Sequence, residues 1–118
     1  MLQLTPQHRI LLYPLPVDFR KGIDKLVGFC RQQLRQDPFS GIFFCFRNKP
    51  MTCIKILVYD GTGFWLCQKR FSQGKIQSWP QNKSEADLIC SVELQVILSQ
   101  GKPPQLESSW HKLASSKL

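Results

Sequence analysis

The chain has 118 residues and a mass of 13.7 kDa, enough for one domain with a real core and too little for separate catalytic and binding domains. Sixteen Lys and Arg against eight Asp and Glu give a formal charge of +8 and a pI near 9.5, a balance that draws a protein toward phosphate backbones or other anionic surfaces. Met1-Leu2-Gln3-Leu4-Thr5-Pro6 lacks the charged start and apolar stretch of a signal peptide, and no run approaches the roughly 18 apolar residues of a membrane span, so a soluble cytoplasmic protein is expected.

In chain order, Ile10-Leu11-Leu12-Tyr13 reads as a first strand closed at Pro14 and Pro16. Asp18 stands where a helix N-cap would. From Phe19 to Arg35, the residues Phe19, Ile23, Leu26, Val27, Cys30 and Leu34 recur at the three- and four-residue steps of an amphipathic helix. Arg20, Lys21, Lys25, Arg31 and Arg35 fall off that stripe, so the helix has a core face and a basic face. Asp37-Pro38 marks its stop, because the residue before proline is pushed out of the helical region.

Three strands in a meander follow. Ile42 to Arg47 closes at Asn48-Lys49-Pro50, Cys53 to Tyr59 closes at Asp60-Gly61-Thr62-Gly63, and Phe64 to Arg70 closes at Ser72-Gln73-Gly74. Lys75 to Trp79 could add a short fourth strand. Alternation along the strands predicts one core face holding Phe44, Phe46, Ile54, Ile56, Val58, Phe64 and Leu66. The other face would carry Phe43, Arg47, Lys55, Tyr59, Trp65 and Lys69, a basic and aromatic mixture suited to phosphate contacts and stacking, or to an ordinary solvated face with cations lying over rings. After a short apolar run, Leu88-Ile89-Cys90, Ser91 is the expected N-cap of a helix carrying Leu94, Ile97 and Leu98, with Gly101 as its stop. The expected organisation is a single α+β domain over residues 1–104, with an antiparallel β-meander packed on the amphipathic helix and a short C-terminal helix. A mobile or loosely packed tail would cover 105–118.

No catalytic, metal or cofactor site is expected. The five cysteines, Cys30, Cys45, Cys53, Cys67 and Cys90, are odd in number, never form Cys-x-x-Cys, and sit in apolar contexts that suit reduced core thiols. His8 and His111 stand alone near the two ends and read as exposed. A metal-dependent nuclease needs converging carboxylates, whereas Asp18, Asp37 and Asp60 stand at a predicted cap or at turns, where Asp bonds to backbone. Ser40-Gly41 and Gly61-Thr62-Gly63 lack the spacing and the following Lys-Ser/Thr of a phosphate-binding loop.

Several ordered segments carry a family likeness. They are Pro16-Val17-Asp18-Phe19-Arg20-Lys21-Gly22-Ile23-Asp24-Lys25-Leu26, Asp37-Pro38-Phe39-Ser40-Gly41, Phe46-Arg47-Asn48-Lys49, Lys55 through Leu66, Lys69-Arg70-Phe71 and Trp79-Pro80. Over roughly residues 8 to 101 the chain resembles the small TnpB-type accessory protein, the second-reading-frame product of bacterial insertion sequences of the sixty-six type, which is distinct from the RNA-guided nuclease called TnpB. Phe19, Lys25, Pro50-Met51-Thr52 and Gly101-Lys102-Pro103 depart from the usual pattern.

The resemblance implies a role in transposition beside a separate, larger transposase that holds the catalytic carboxylates. The expectation is therefore a non-enzymatic accessory protein contacting DNA, the transposase, or both. Arg20, Lys21, Arg47, Lys49, Lys55, Lys69 and Arg70 are candidates for phosphates, and Tyr59 and Trp65 for packing or stacking. Arg20 and Arg47 have a structural alternative in pairing with Asp18, Asp24 or Asp37. The other functional reading is a protein-interaction module that docks on the transposase or self-associates as a homo-oligomer, with its charge only aiding encounter.

Overall fold

A computed structural model describes residues 8–79, 87–89 and 91–100. Its elements in order are β1 (Ile10–Leu12), α1 (Ile23–Gln32), β2 (Phe43–Arg47), β3 (Cys53–Tyr59), β4 (Phe64–Arg70), β5 (Asp87–Ile89) and α2 (Ser91–Leu98). One mixed sheet runs in the order β4-β3-β2-β1-β5. The expected α+β class holds, and β2, β3 and β4 form the expected antiparallel meander.

The sheet as a whole is not a meander, because β1 lies parallel to β2, with Ile10 opposite Phe43 and Leu12 opposite Cys45. The helix between these two strands supplies the long connection that a parallel pair needs and a tight turn cannot. On its other side β1 pairs antiparallel with β5. Lys75 to Trp79 forms no strand. It crosses the sheet as irregular chain, with Ile76 N–H bonded to Met51 O at 2.8 Å and the Trp79 indole N–H bonded to Tyr13 O at 2.9 Å.

Helix α1 begins four residues later than the pattern predicts. Gly22 occupies the N-cap with no side-chain cap. Asp18 instead makes a turn with Arg20, accepting that residue's backbone N–H at 2.9 Å. At the far end, Arg35 takes a left-handed φ of 54° and Gln36 N–H reaches back to Cys30 O at 3.0 Å, so the chain reverses before Pro38.

The sheet is covered on both faces. On one, Leu26 and Cys30 of α1 pack with Leu11, Phe44, Phe46 and Leu57. On the other, Ile10, Leu12, Phe43, Cys45, Ile54, Ile56 and Val58 pack with Phe71, Ile76, Trp79 and, from α2, Leu94 and Ile97. This corrects the expected faces in β3. Phe44 is opposite Leu57 and Phe46 opposite Lys55, so Lys55 and Tyr59 belong to the α1 face, while Ile54, Ile56 and Val58 belong to the α2 face. A one-residue slip moves every side chain to the other side of a strand. The Asn48 carboxamide sets the phase by accepting the backbone N–H groups of Thr52 at 2.8 Å and Cys53 at 3.1 Å.

Cys30, Cys45 and Cys53 are buried free thiols, and burial pushes the Cys30 thiol up to about 12 and the Cys45 thiol up as well. Cys67 is half-buried on β4. His8 is half-buried rather than exposed, stacked on Phe43 with ring centroids 4.6 Å apart. The side chain of Cys90, the stop at Gly101, His111 and the expected tail at 105–118 lie outside the described residues.

Candidate nucleic-acid interface

The structure divides the candidate residues into three groups. Arg47 and Lys55 are interior, each 6% exposed. Arg47 donates from Nε to Pro14 O at 3.2 Å and from Nη1 to Asn48 O at 3.3 Å, tying β2 to the turn after β1. The alternative ion pair with Asp18, Asp24 or Asp37 is not its arrangement. Lys55 crosses beneath the segment that enters α1, with Nζ 2.7 Å from Phe19 O and 3.1 Å from Lys21 O and its ammonium 4.9 Å from the centre of the Phe19 ring. A lysine can end inside a sheet in this way because its stem is apolar and its head meets two carbonyls.

A second group stays at the surface with its head engaged. Arg20 pairs with Asp18 in a fork, Nη2 to Oδ2 at 2.7 Å and Nε to both carboxylate oxygens. The guanidinium holds the Asp18 carboxyl well below the usual carboxylate range, and Asp18 in turn raises Arg20. Lys21 lies 5.1 Å from the centre of the Phe29 ring. Lys69 lies 5.1 Å from the Phe71 ring and donates to Leu98 O, placing a cation at the carbonyl end of α2. The Tyr59 hydroxyl donates to Gly61 O at 3.1 Å, and Trp65, 55% exposed, donates its indole N–H to Asp60 Oδ2 at 2.7 Å. Lys49 and Arg70 form the third group, exposed on the β2–β3 turn and at the end of β4.

The expected basic and aromatic sheet face is therefore not one surface. Trp65 and Lys69 stand on the α2 side of β4, and Lys55 and Tyr59 on the α1 side of β3. Further cations stand on α1, at Lys25 and Arg31, and just past its end, at Arg35. Lys25, Arg31 and Arg35 are exposed, without an ion-pair partner among the described residues. Lys21, Lys25, Gly28, Phe29, Gln32 and Gln33 line a shallow groove of about 350 Å³ on the helix. In the sequence Lys25, Arg31 and Arg35 are marked only by falling off the apolar stripe of the helix, a weaker signal than the basic and aromatic residues of the strands.

Asp60 organises the β3–β4 hairpin. Its Oδ1 accepts the backbone N–H of Thr62 at 2.9 Å and of Gly63 at 3.0 Å, and these bonds together with the Trp65 indole bring the carboxyl down to about 2. Folding thus favours the charged form. Its contribution is complete above the unfolded carboxyl value of about 4 and is lost as pH falls through about 2. The Trp65 indole N–H resonance is expected to move over that window in the wild type and to stay fixed in Asp60→Asn; a resonance that moves equally in both would show that Asp60 does not hold the ring.

These features define a small α+β protein whose one mixed sheet presents a cationic helix on its outer layer. The chain belongs to the IS66 Orf2-like family, whose model matches residues 8–107. It is 37% identical over 67 residues to the uncharacterized protein y4jC of Sinorhizobium fredii (strain NBRC 101917 / NGR234), and 30% identical over 82 residues to the uncharacterized protein y4hO of the same organism. These matches cover 57% and 70% of each chain respectively, so the first reaches little more than half of that relative's length. No solved structure matches the chain. Family membership makes this a transposition-associated accessory protein. Among the described residues, no helix is long and apolar enough to cross a membrane.

Proposed function

We propose that this accessory protein acts on DNA during transposition, without catalysing strand chemistry itself, through the basic outer face of α1 and the loop that leads into it. The observation that carries this reading is the succession of cations along α1 and its two ends, Lys21 before it, Lys25 and Arg31 exposed on it and Arg35 exposed after it, while Arg47 and Lys55 are consumed by the interior. A cationic helix of this kind neutralises phosphates without reading bases, so it positions a duplex rather than selecting its sequence. Lys49 and Arg70, exposed elsewhere, extend the positive field but do not line the helix.

The test is a salt series on a labelled duplex. Each phosphate contact contributes roughly 0.9 to the slope of log K against log salt, so Lys25→Gln/Arg31→Gln is expected to reduce the slope by about 2. An unchanged slope would remove the helix face from the interface. One observation favours a second reading: β4 is the sheet edge, nothing among the described residues pairs with its outer side, and Trp65 stands exposed on it. An open edge strand is a template for another chain. Docking there on the transposase, or on a second copy, would depend only weakly on salt.

A further inference from the structure

Phe39 is 48% exposed, yet its position is closely determined. Its backbone N–H bonds to Asp37 Oδ1 at 2.9 Å, Ser40 N–H bonds to Asp37 O at 3.2 Å, and Pro38 beneath it is fully buried. The ring stands edge-on to Tyr59 at 4.9 Å and tilted on Phe64 at 5.2 Å, so three aromatics from the loop, β3 and β4 make one cluster at the corner of the sheet. The Arg31 guanidinium lies over the Phe39 ring at 6.0 Å. Arg35, four residues before Phe39, is exposed and held at φ 54°, a conformation that disfavours any residue with a Cβ and that glycine would adopt freely.

An apolar contact alone would account for the ring cluster but not for the guanidinium set beside it. A closely held, half-exposed ring with a guanidinium beside it has the make-up of a stacking platform on single-stranded nucleic acid. The exposed part of the ring can stack on a base, whichever base it is, and the Arg31 guanidinium can meet a neighbouring phosphate. A paired base inside a duplex cannot reach such a ring, since both of its faces are already stacked.

We infer that Phe39, supported by Tyr59 and Phe64 and with the Arg31 guanidinium beside it, is a stacking site for an unpaired base of single-stranded DNA. This deepens the DNA-contact reading above and rests on it. The helix face would hold the phosphates of a duplex, and the Phe39 corner would engage a strand where that duplex opens.

The experiment measures binding of the full chain to a labelled single-stranded oligonucleotide and to the duplex of the same sequence, at one salt concentration, for wild type, Phe39→Ala and Phe39→Leu. Both variants are expected to lose roughly 5- to 100-fold in affinity for the single strand and less than about twofold for the duplex. Wild-type binding to both forms that neither variant changes would overturn the stacking site and leave the DNA reading standing. Wild-type binding to neither form would overturn both. A single-strand affinity retained in Phe39→Leu and lost in Phe39→Ala would make the contact merely apolar, and equal losses on single strand and duplex would exclude an unpaired base. Loss of binding to the purified transposase, with single-strand affinity unchanged, would reassign the corner to a protein partner.

Discussion

Replacing Lys55 with alanine is expected to lower the stability of the fold by about 2–4 kcal/mol, a large effect for a residue that a sequence reading would place on the surface. The ammonium bonds two backbone carbonyls, Phe19 O and Lys21 O, which belong to a segment with no ladder of its own. Removing it strands those acceptors under α1 and withdraws the aliphatic stem that fills the space between β3 and the Phe19 ring. Lys55→Met separates the two effects, because it keeps much of the stem and loses the donors; its cost should fall between the wild type and alanine. Urea denaturation reads the difference, and with a slope of roughly 1–3 kcal/mol per molar the midpoint of Lys55→Ala should fall by on the order of 1–2 M. A midpoint unchanged by alanine would show that the 16–22 segment is held by other contacts. DNA binding by Lys55→Ala and Arg47→Ala is interpretable only after such a measurement, since either variant can lose affinity by losing its fold.

Much of the architecture was legible because the local signals agreed with one another. The Asp60-Gly61-Thr62-Gly63 hairpin and the Leu94, Ile97 spacing of α2 both carry unambiguous local signals. β3 does not. Cys53-Ile54-Lys55-Ile56-Leu57-Val58-Tyr59 is apolar at every position but one, as a strand covered on both faces must be, so its only polar residue reads as the mark of a solvent side. Lys55 marks a buried carbonyl pair instead. Arg47 misled in the same way.

The parallel placement of β1 was available in principle, since a strand, a helix and a strand in succession favour a parallel pair, but a three-residue strand ending at prolines carries little weight by itself. The start of α1 was misplaced because Asp18 has the side chain of a cap, and only the geometry shows it spent on Arg20. Of the candidate site, the cationic helix was readable from its off-stripe residues. The Phe39 corner was not, because it joins a loop to the ends of two strands that meet only in the fold.

Phe46→Ala should be the most disruptive of the single core truncations, at about 3–5 kcal/mol. The ring is fully buried on the α1 face and contacts Phe29 at 5.9 Å and Tyr13 at 6.4 Å, while Phe29 and Tyr13 meet edge-on at 5.0 Å. This triangle joins α1 to β2 and to the end of β1, and its Phe29 corner also lies beneath Lys21. A domain of this size has a total stability of roughly 5–15 kcal/mol, so alanine at 46 removes a large fraction of it, whereas leucine, which refills most of the volume, should cost about 1–2 kcal/mol. The comparison also bears on function. If the basic face of α1 binds DNA only when docked on the sheet, Phe46→Ala should lose affinity in proportion to its unfolded fraction and regain it at lower temperature or in a stabilising osmolyte, and Lys25→Gln/Arg31→Gln should not. Thermal unfolding of Phe46→Ala within about 1 kcal/mol of the wild type would mean that the aromatic triangle does not anchor the helix.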